Sequence, residues 1–536
     1  MRSWLIIAKG RGNYQFFRRI FLRAAPARHQ VGPFPVYSPP AGENLWESPI
    51  AKRSVCCHNN RCQGPIRILE ESGGGVMDQR CAVILAAGEG RRMRTEGAKA
   101  MCQVLFRPML GWVLDNCTGA GINQICVVVG KSAQEVYGIL PQGVTTAVQD
   151  RRLGTGHAVR CAREFLENRR DADILVTLGD SPFLFPAVIQ KAYDLHKAQD
   201  NAVTVVSSRV EDPTGYGRIL RQGGQVAAIV EDRDGDDATR AIKEINAGTY
   251  WFKGGLLLAA LDRLIPANDQ GELYLTDTLE ILRKMGYRVG ACDAGDSRIA
   301  LGANTRRELH TLNEIAREMV FDRLYDGGVD IPVTDGVMIS AEADIAPGVR
   351  ILPGTLIRGR CQIGADCVVG PNSVLEDAVL GEGCVVRSSY ITRSVLGRGV
   401  TVGPFSQIRP DCQIADGVKI GDFVEVKNSR VGEKTAIAHL TYVGDTDCGA
   451  GVNFGCGVVT VNYNGVTKNR TTIGDGAFIG CNTNLVAPVT VGQGAYTAAG
   501  STVTVDLPPD SLCIARSRET IKPGAALKYR RQKGKE

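Results

Sequence analysis

Hydrophobic and polar positions follow three different rhythms along this chain of 536 residues. A short apolar run over residues 81–85 enters a turn of small residues, Ala86-Ala87-Gly88-Glu89-Gly90, and then a helical segment opening with Arg91-Arg92-Met93. Such a turn lets backbone come close to a nucleotide, and the following helix start offers free N–H groups to phosphate. Further apolar runs at residues 125–129, 174–178 and 203–207 alternate with helical stretches. This alternation predicts a parallel, doubly wound, Rossmann-like α/β sheet.

The second rhythm occupies residues 308–325. Leu309, Leu312, Ile315, Ala316, Met319, Val320 and Leu324 recur at three- and four-residue steps, which predicts one long linker helix without chemistry of its own. After Gly327-Gly328 the third rhythm begins, an aliphatic residue followed by Gly or Ala at six-residue spacing. It is seen in Ile363-Gly364, Val369-Gly370, Ile414-Ala415, Ile420-Gly421, Val431-Gly432, Ile473-Gly474, Ile479-Gly480 and Val491-Gly492. A six-residue period is too long for a helix and predicts a β-helix of stacked short strands. Two stretches read as irregular insertions, residues 437–445 around His439 and residues 461–465, which read Val-Asn-Tyr-Asn-Gly.

Composition narrows the picture. The 63 Gly and 6% aromatic content fit repetitive, turn-rich structure, and the length exceeds one ordinary domain. Seventeen Cys at no disulfide-like spacing read as reduced thiols, so a cytoplasmic location is expected. No apolar run reaches the roughly 18 to 20 residues of a membrane span. The net charge of +6 is uneven. Residues 1–76 hold 11 Lys/Arg against 4 Asp/Glu, a net of +7 that leaves −1 for the remainder and no electrostatic case for nucleic acid.

The block Leu85-Ala86-Ala87-Gly88, with Arg92-Met93 and Lys99, resembles the opening motif of the sugar-1-phosphate nucleotidyltransferases. The resemblance continues in order through Gln149, residues 153–158, Gly179-Asp180, residues 212–219, Glu231, Glu244-Ile245-Asn246 and Asn304. A sugar phosphate must attack the α-phosphate of a nucleoside triphosphate in line, so charge on both reactants and on departing pyrophosphate must be neutralised. Arg92 and Lys99 supply positive charge, and Asp180 at a strand end is placed to hold Mg²⁺. The resemblance adds Asn304 as second metal ligand. It implies UTP and UDP-sugar contacts at Leu85, Ala86, Ala87, Gly88, Lys99, Gln149, Gly154, Thr155 and Asn304, with Gly217, Glu231 and Asn246 on the sugar side. The chain departs from the common pattern at Ala98, often Pro, which is expected to loosen the loop, and at Leu178, often Tyr.

The second half, with Arg409-Pro410, Glu425, Lys427, His439, Tyr442, Asn453 and Asn462-Tyr463, resembles the acetyltransferase half of the bifunctional family that makes UDP-N-acetylglucosamine. That family's domain is a left-handed parallel β-helix of hexapeptide repeats, and the resemblance implies a homotrimer. An amine attacking the acetyl-CoA thioester must lose a proton, and a His titrating near neutrality suits that role. By resemblance His439 is the base and Glu425 orients it. Arg409, Lys427, Tyr442 and Asn453 bind glucosamine-1-phosphate, while Cys456, Asn462, Tyr463, Cys481, Ala499 and Arg516 lie along acetyl-CoA. Cys456 and Cys481 stand where the family often has Ala and Ser.

The expected organisation is an extension over 1–76, a uridylyltransferase domain over 77–305, a linker over 306–328, a β-helix over 329–523 and a basic tail over 524–536. The alternative is a single-function nucleotidyltransferase with a structural β-helix. Within residues 1–76, Leu5-Ile6-Ile7 is too short for a signal-peptide core. The Arg-rich start could mimic a transit peptide, and Cys56-Cys57-His58 with Cys62 lacks the second ligand pair of a zinc site. The preferred reading is an upstream region translated in error, because Gly codons before Met77 can spell a ribosome-binding stretch. N-terminal sequencing of the protein from its own host is expected to begin at Met77; residues upstream of it refute the reading.

Overall fold

Residues 80–90, 93, 97–131, 133–266 and 271–532 are described by a computed structural model of the chain. The extension 1–76 with its cysteine cluster, and Arg92, lie outside the described residues.

Strand Arg80–Leu85 is buried along its inner residues because it lies centrally, flanked in parallel by Gln124–Gly130 and Asp173–Leu178. Thr145–Gln149 extends one edge in parallel, and Val289–Asp293 pairs in parallel with Val203–Arg209 at the other. Both faces are covered. Val83, Val128 and Val176 feed one apolar core, while Ala82, Ile84, Val127 and Leu175 feed another on the opposite face. The sheet is not purely parallel as expected. Glu244–Lys253 runs antiparallel between Asp173–Leu178 and Val203–Arg209. It follows the hairpin Arg218–Gln222 and Gln225–Val230, and a direct return of this kind gives an antiparallel neighbour where a helical crossover would give a parallel one.

The linker helix spans Arg306–Asp326 and opens with a capping box in which Thr305 and Glu308 satisfy each other's backbone N–H groups. It buries Leu312, Ala316, Val320, Leu324 and also Phe321, which the expected stripe omitted. Leu105 N–H donates to Asn313 Oδ1 (2.9 Å) and Arg323 donates to Ala341 O (2.9 Å), so the helix is bonded to the first domain and to the first coil. One continuous core runs from Met109 and Phe183 through this helix into the coil interior.

Beyond it the chain winds into a left-handed β-helix with three parallel sheets. Each coil turns through three short strands whose inward aliphatics, such as Ile339, Ile345, Ile351 and Ile357, fill the interior. The glycines of the six-residue repeat answer to the next coil. A Cβ on Gly364 would meet Glu382 N at 2.8 Å and Gly381 C at 2.9 Å.

The insertion expected at residues 437–445 is not there. Ala436–His439 pairs in register with Lys419–Asp422, and Tyr442–Gly444 with Glu425–Lys427. The polar residues that suggested a break occupy outward positions, which a coil leaves free. The second expected insertion, at residues 461–465, is present: Tyr442 pairs with Val459, 17 residues on, but Val459 pairs with Asn484, 25 residues on. The extra residues form an exposed loop over 463–468 that is closed by a Tyr463 to Lys468 bridge.

Gly364→Ala forces backbone of adjacent coils apart and should destabilise the β-helix by about 1–3 kcal/mol, the usual cost of overpacking. A thermal unfolding midpoint equal to that of the wild type would contradict this account of the repeat.

Candidate active sites

At the C-terminal end of the central strands, Ala86 N–H donates to Val128 O (2.8 Å) and Gly179 N–H to Leu85 O (2.9 Å). These bonds set the turn Ala86-Ala87-Gly88 beside Gly179-Asp180, where ligands bind in open α/β sheets. Ala86 and Ala87 are buried, and a Cβ on Gly88 would meet no protein atom within 4 Å. Lys99 N–H donates to Gly88 O (3.0 Å). Its ammonium is ion-paired with Asp180 and donates to Asn304 Oδ1 (2.7 Å), so the two expected metal ligands converge on one cation. Asn304 is set by the linker helix, whose Glu308 accepts from the Asn304 N–H (2.5 Å). The loop is not loosened by Ala98: its N–H donates to Glu135 (2.6 Å), a bond that proline lacks.

Buried Gln149 donates to Gly154 O (3.2 Å) and contacts His157 (3.1 Å). Thr155 Oγ1 accepts from Leu275 N–H (3.0 Å). Gly154 has φ +99° and lies against Leu273 backbone, two independent reasons for glycine there. Among the residues expected on the sugar side, Gly217 O accepts from Asn246 N–H (2.8 Å), while Glu231 oxygens stand 3.5 Å from where a Gly217 Cβ would lie. Asn246 donates to the buried Tyr250 hydroxyl (2.7 Å) and Glu231 accepts from Thr276 (3.3 Å). Leu178 packs over Gly248, two residues from Asn246. Burial raises the Glu231 carboxyl above its ordinary range, and Asp234, Asp277 and Asp232 add to the shift.

The β-helix carries its expected residues on two adjoining outer surfaces. On one face Arg409 pairs with Glu425 (2.7 Å), and Lys427 is in line with Arg409 on the next coil. The side chain of Gly444, next in that column, is missing because Tyr442 and Asn462 lie over it, with Asn462 Nδ2 2.8 Å from where its Cβ would be. Asn462 donates to Tyr442 Oη (3.3 Å) and to the buried Asp445 (2.5 Å), which also accepts from Asn428 (2.5 Å). Lys468, returning from the loop, presses on Lys427 and holds its ammonium below the usual lysine range, with partial burial adding to the effect. Tyr463 is exposed on the loop, its hydroxyl donating to Gly465 O (2.7 Å).

His439 lies on the neighbouring corner. Glu425, expected to orient it, is engaged by Arg409, and the carboxylate on His439 Nδ1 is Asp422 (2.6 Å). That hydrogen bond holds the Asp422 carboxyl below its ordinary range. Backbone register then stacks Cys456, Cys481 and Ala499 above His439 on successive coils, with Arg516 over Gly500 (3.7 Å from its Cβ position). Asn453 is exposed between Ala436 and Phe478 on the adjoining strand face. Sequence reasoning missed Asp422, Asp445 and Lys468. A turn of about 18 residues, three six-residue steps, points from His439 to residue 422 rather than 425, and that signal was available.

Comparison with known proteins bears on both halves. The nucleotidyl transferase family model matches residues 81–298, a GMPPB C-terminal domain model matches 333–437 and the bacterial transferase hexapeptide (six repeats) model matches 470–504. The bifunctional protein GlmU of Acetivibrio thermocellus is 44% identical over 453 residues, covering 84% of this chain and 98% of its own. The GlmU proteins of Clostridium botulinum strain 657 (42% over 446 residues; 83% and 97%) and Caldanaerobacter subterraneus subsp. tengcongensis (44% over 449; 84% and 98%) are similar. The chain belongs to the GlmU family. It is a bifunctional enzyme of UDP-N-acetylglucosamine biosynthesis, joining a uridylyltransferase to an acetyltransferase. As in a nucleotide-sugar transferase generally, its chemistry calls for a metal and its substrates. Among the described residues of this GlmU-family chain no helix is long and apolar enough to cross a membrane.

Because the folded state raises the Glu231 pKa, its protonated form is favoured on folding, and the stability this gives is full below the ordinary pKa and lost as pH rises through the raised one. Glu231→Gln should therefore melt higher than wild type by a margin that is small at pH 5 and larger at pH 8. The same variant should show a raised KM for the sugar phosphate in pyrophosphate release. A margin independent of pH would count against the buried carboxylate.

Proposed function

We propose that acetyl transfer to glucosamine-1-phosphate occurs at the His439 corner and that N-acetylglucosamine-1-phosphate is uridylylated at the Lys99–Asp180–Asn304 site. Residues 77–305 serve the second reaction, 306–328 join the halves, 329–523 serve the first, and 524–536 are a basic tail. The observation that most supports two activities is the Asp422–His439 pair, an exposed His with an ordered carboxylate on a coil exterior that has no structural need of it. With Nδ1 bonded to Asp422, Nε2 is the nitrogen left to accept the proton as the amine attacks the thioester carbonyl and CoA thiolate departs. Arg409, Lys427 and Lys468 hold the sugar phosphate; Tyr442, Asn453 and Asn462 hold the sugar. Acetyl-CoA runs along Cys456, Cys481, Ala499 and Arg516, with Tyr463 beside it.

At the other site the sugar phosphate oxygen attacks the α-phosphate of UTP and pyrophosphate leaves. Lys99 and Arg92 balance the charge, Leu85 to Gly88 with Gln149, Gly154 and Thr155 receive the nucleotide, and Gly217, Glu231 and Asn246 the sugar. The oxygens of Asp180 and Asn304 already converge on a cation, and two hard oxygen donors with phosphate for the rest suit Mg²⁺, which when bound neutralises phosphate charge. Thiols outside any disulfide at Cys117, Cys126, Cys292, Cys361 and Cys412 support a cytoplasmic location.

A homotrimer is supported by a ridge of Phe405, Phe423 and Leu440, exposed at one corner of three successive coils. Their φ values are +59°, +55° and +48°, a region that suits Asn, Asp or Gly; other corners carry Asp366, Asp377 and Asp411, and Gly457 and Asn482 continue this same column above Leu440. Bulky apolar residues kept there against backbone preference, beside His439, fit a surface covered by another copy.

Asp180→Ala should cut pyrophosphate release by more than about 100-fold and leave CoA release near wild type. Loss of both in a folded oligomer would sink the two-site reading. Phe423→Asp, which the backbone accepts, should reduce the particle to a single chain in sedimentation and abolish CoA release while pyrophosphate release persists. Retained CoA release from a monomer would remove the need for a trimer and would not favour the structural β-helix alternative, which predicts no CoA release from any form.

A further inference from the structure

The column above His439 places two thiols together. Cys456 O accepts from Asn482 N–H (2.8 Å) and Cys481 O from Gly500 N–H (2.7 Å), while Phe454 pairs with Ile479 two residues earlier. Cys456 and Cys481 are thus directly opposed on adjacent coils. Coils are closely appressed here, since a Cβ on Gly455 would meet Cys481 Cα at 2.9 Å. Opposed residues on neighbouring parallel strands stand about 4.8 Å apart. A disulfide spans Cα separations of about 4.4–6.8 Å, so this pair is within reach. Cys367 and Cys384 are opposed in the same way but are fully buried, with their thiols donating to Gly381 O (3.1 Å) and Gly397 O (3.0 Å). Cys481 is exposed and Cys456 half-buried. Accessibility to an oxidant therefore separates the two pairs.

We propose that Cys456 and Cys481 form a redox modification site at which a low-molecular-weight disulfide closes a protein disulfide and stops acetyl transfer without touching uridylyl transfer. The exposed Cys481 thiolate attacks one sulfur of the small disulfide and expels a thiolate. The Cys456 thiolate then attacks the Cys481 sulfur of that mixed disulfide and expels the second. The two protons lost by the protein end on the two released thiols, so the protein is oxidised and the small disulfide reduced by the same two electrons. The bond forms between His439 and Arg516, across the line along which acetyl-CoA is read to lie. The proposal rests on the reading of this corner as the acetyl site.

The test treats the full chain with oxidised glutathione and follows CoA release, pyrophosphate release and tryptic peptides. The expected result is loss of CoA release with pyrophosphate release retained, recovery on adding dithiothreitol, and one linked peptide joining Cys456 to Cys481 but none joining Cys367 to Cys384. Cys456→Ala should yield no linked peptide, and its CoA release, taken relative to its own reduced rate, should no longer collapse. Inhibition without the linked peptide, equal sensitivity of Cys456→Ala, or a linked enzyme that still releases CoA would each overturn the proposal. Absence of CoA release from the fully reduced enzyme would instead overturn the reading of the acetyl site.

Discussion

Each coil of the second domain must hand its backbone N–H groups to the next, and this single requirement fixes the register on which the rest depends. Coils about 4.8 Å apart leave no room for side chains at the corners of closest approach, which is why Gly364 faces Glu382 backbone. The interior is filled by one aliphatic residue per short strand, so chemistry is confined to the exterior. There, register stacks side chains into columns: Asp422 under His439, Cys456 under Cys481, Arg409 under Lys427. Residues separated by a full turn of chain become neighbours, and their identity at each level decides what the surface does.

Charge in both halves is held at a cost to the unliganded protein. Lys427 and Lys468 repel one another, and the buried Asp445 below them both offsets that charge and braces the loop through Asn462. Such a cluster is stabilised by an anion, which is what a sugar phosphate offers. In the first domain, Glu231 is kept as a buried carboxyl among other acids. Sites that are strained before binding and relieved by it are a common trade of stability for function.

The linker helix does more than separate the two halves. Its N-terminal capping box sets Asn304 in the first site, and its buried face continues the core of the first coil. The two sites are distinct in residues, yet they share this rigid element.

The amino-acid sequence by itself determined the repeat and the strand and small-residue turn that open the first domain, because periodicity and ordered motifs are local properties of the chain. The helix expected directly after that turn is not found among the described residues, where a 3-10 turn Lys99–Met101 and a short strand pair precede the first α-helix, Met109–Gly119. Lys99, Asp180 and Asn304, spread over some two hundred residues, were legible only through matched motifs; the fold set Asp180 and Asn304 on the Lys99 ammonium. What tertiary structure alone decided were partners. Glu425 lies nearer His439 in sequence than Asp422 does, but coil register puts Asp422 on the imidazole and leaves Glu425 to Arg409. The turn around His439 proved regular, since outward positions of a coil accept polar residues without interruption, whereas the insertion read at residues 461–465 is the one that breaks the repeat. Glu244–Lys253 turned antiparallel because a hairpin precedes it. In each case the deciding factor was which backbone edge was open to receive a neighbour, and no single stretch of sequence carries that information.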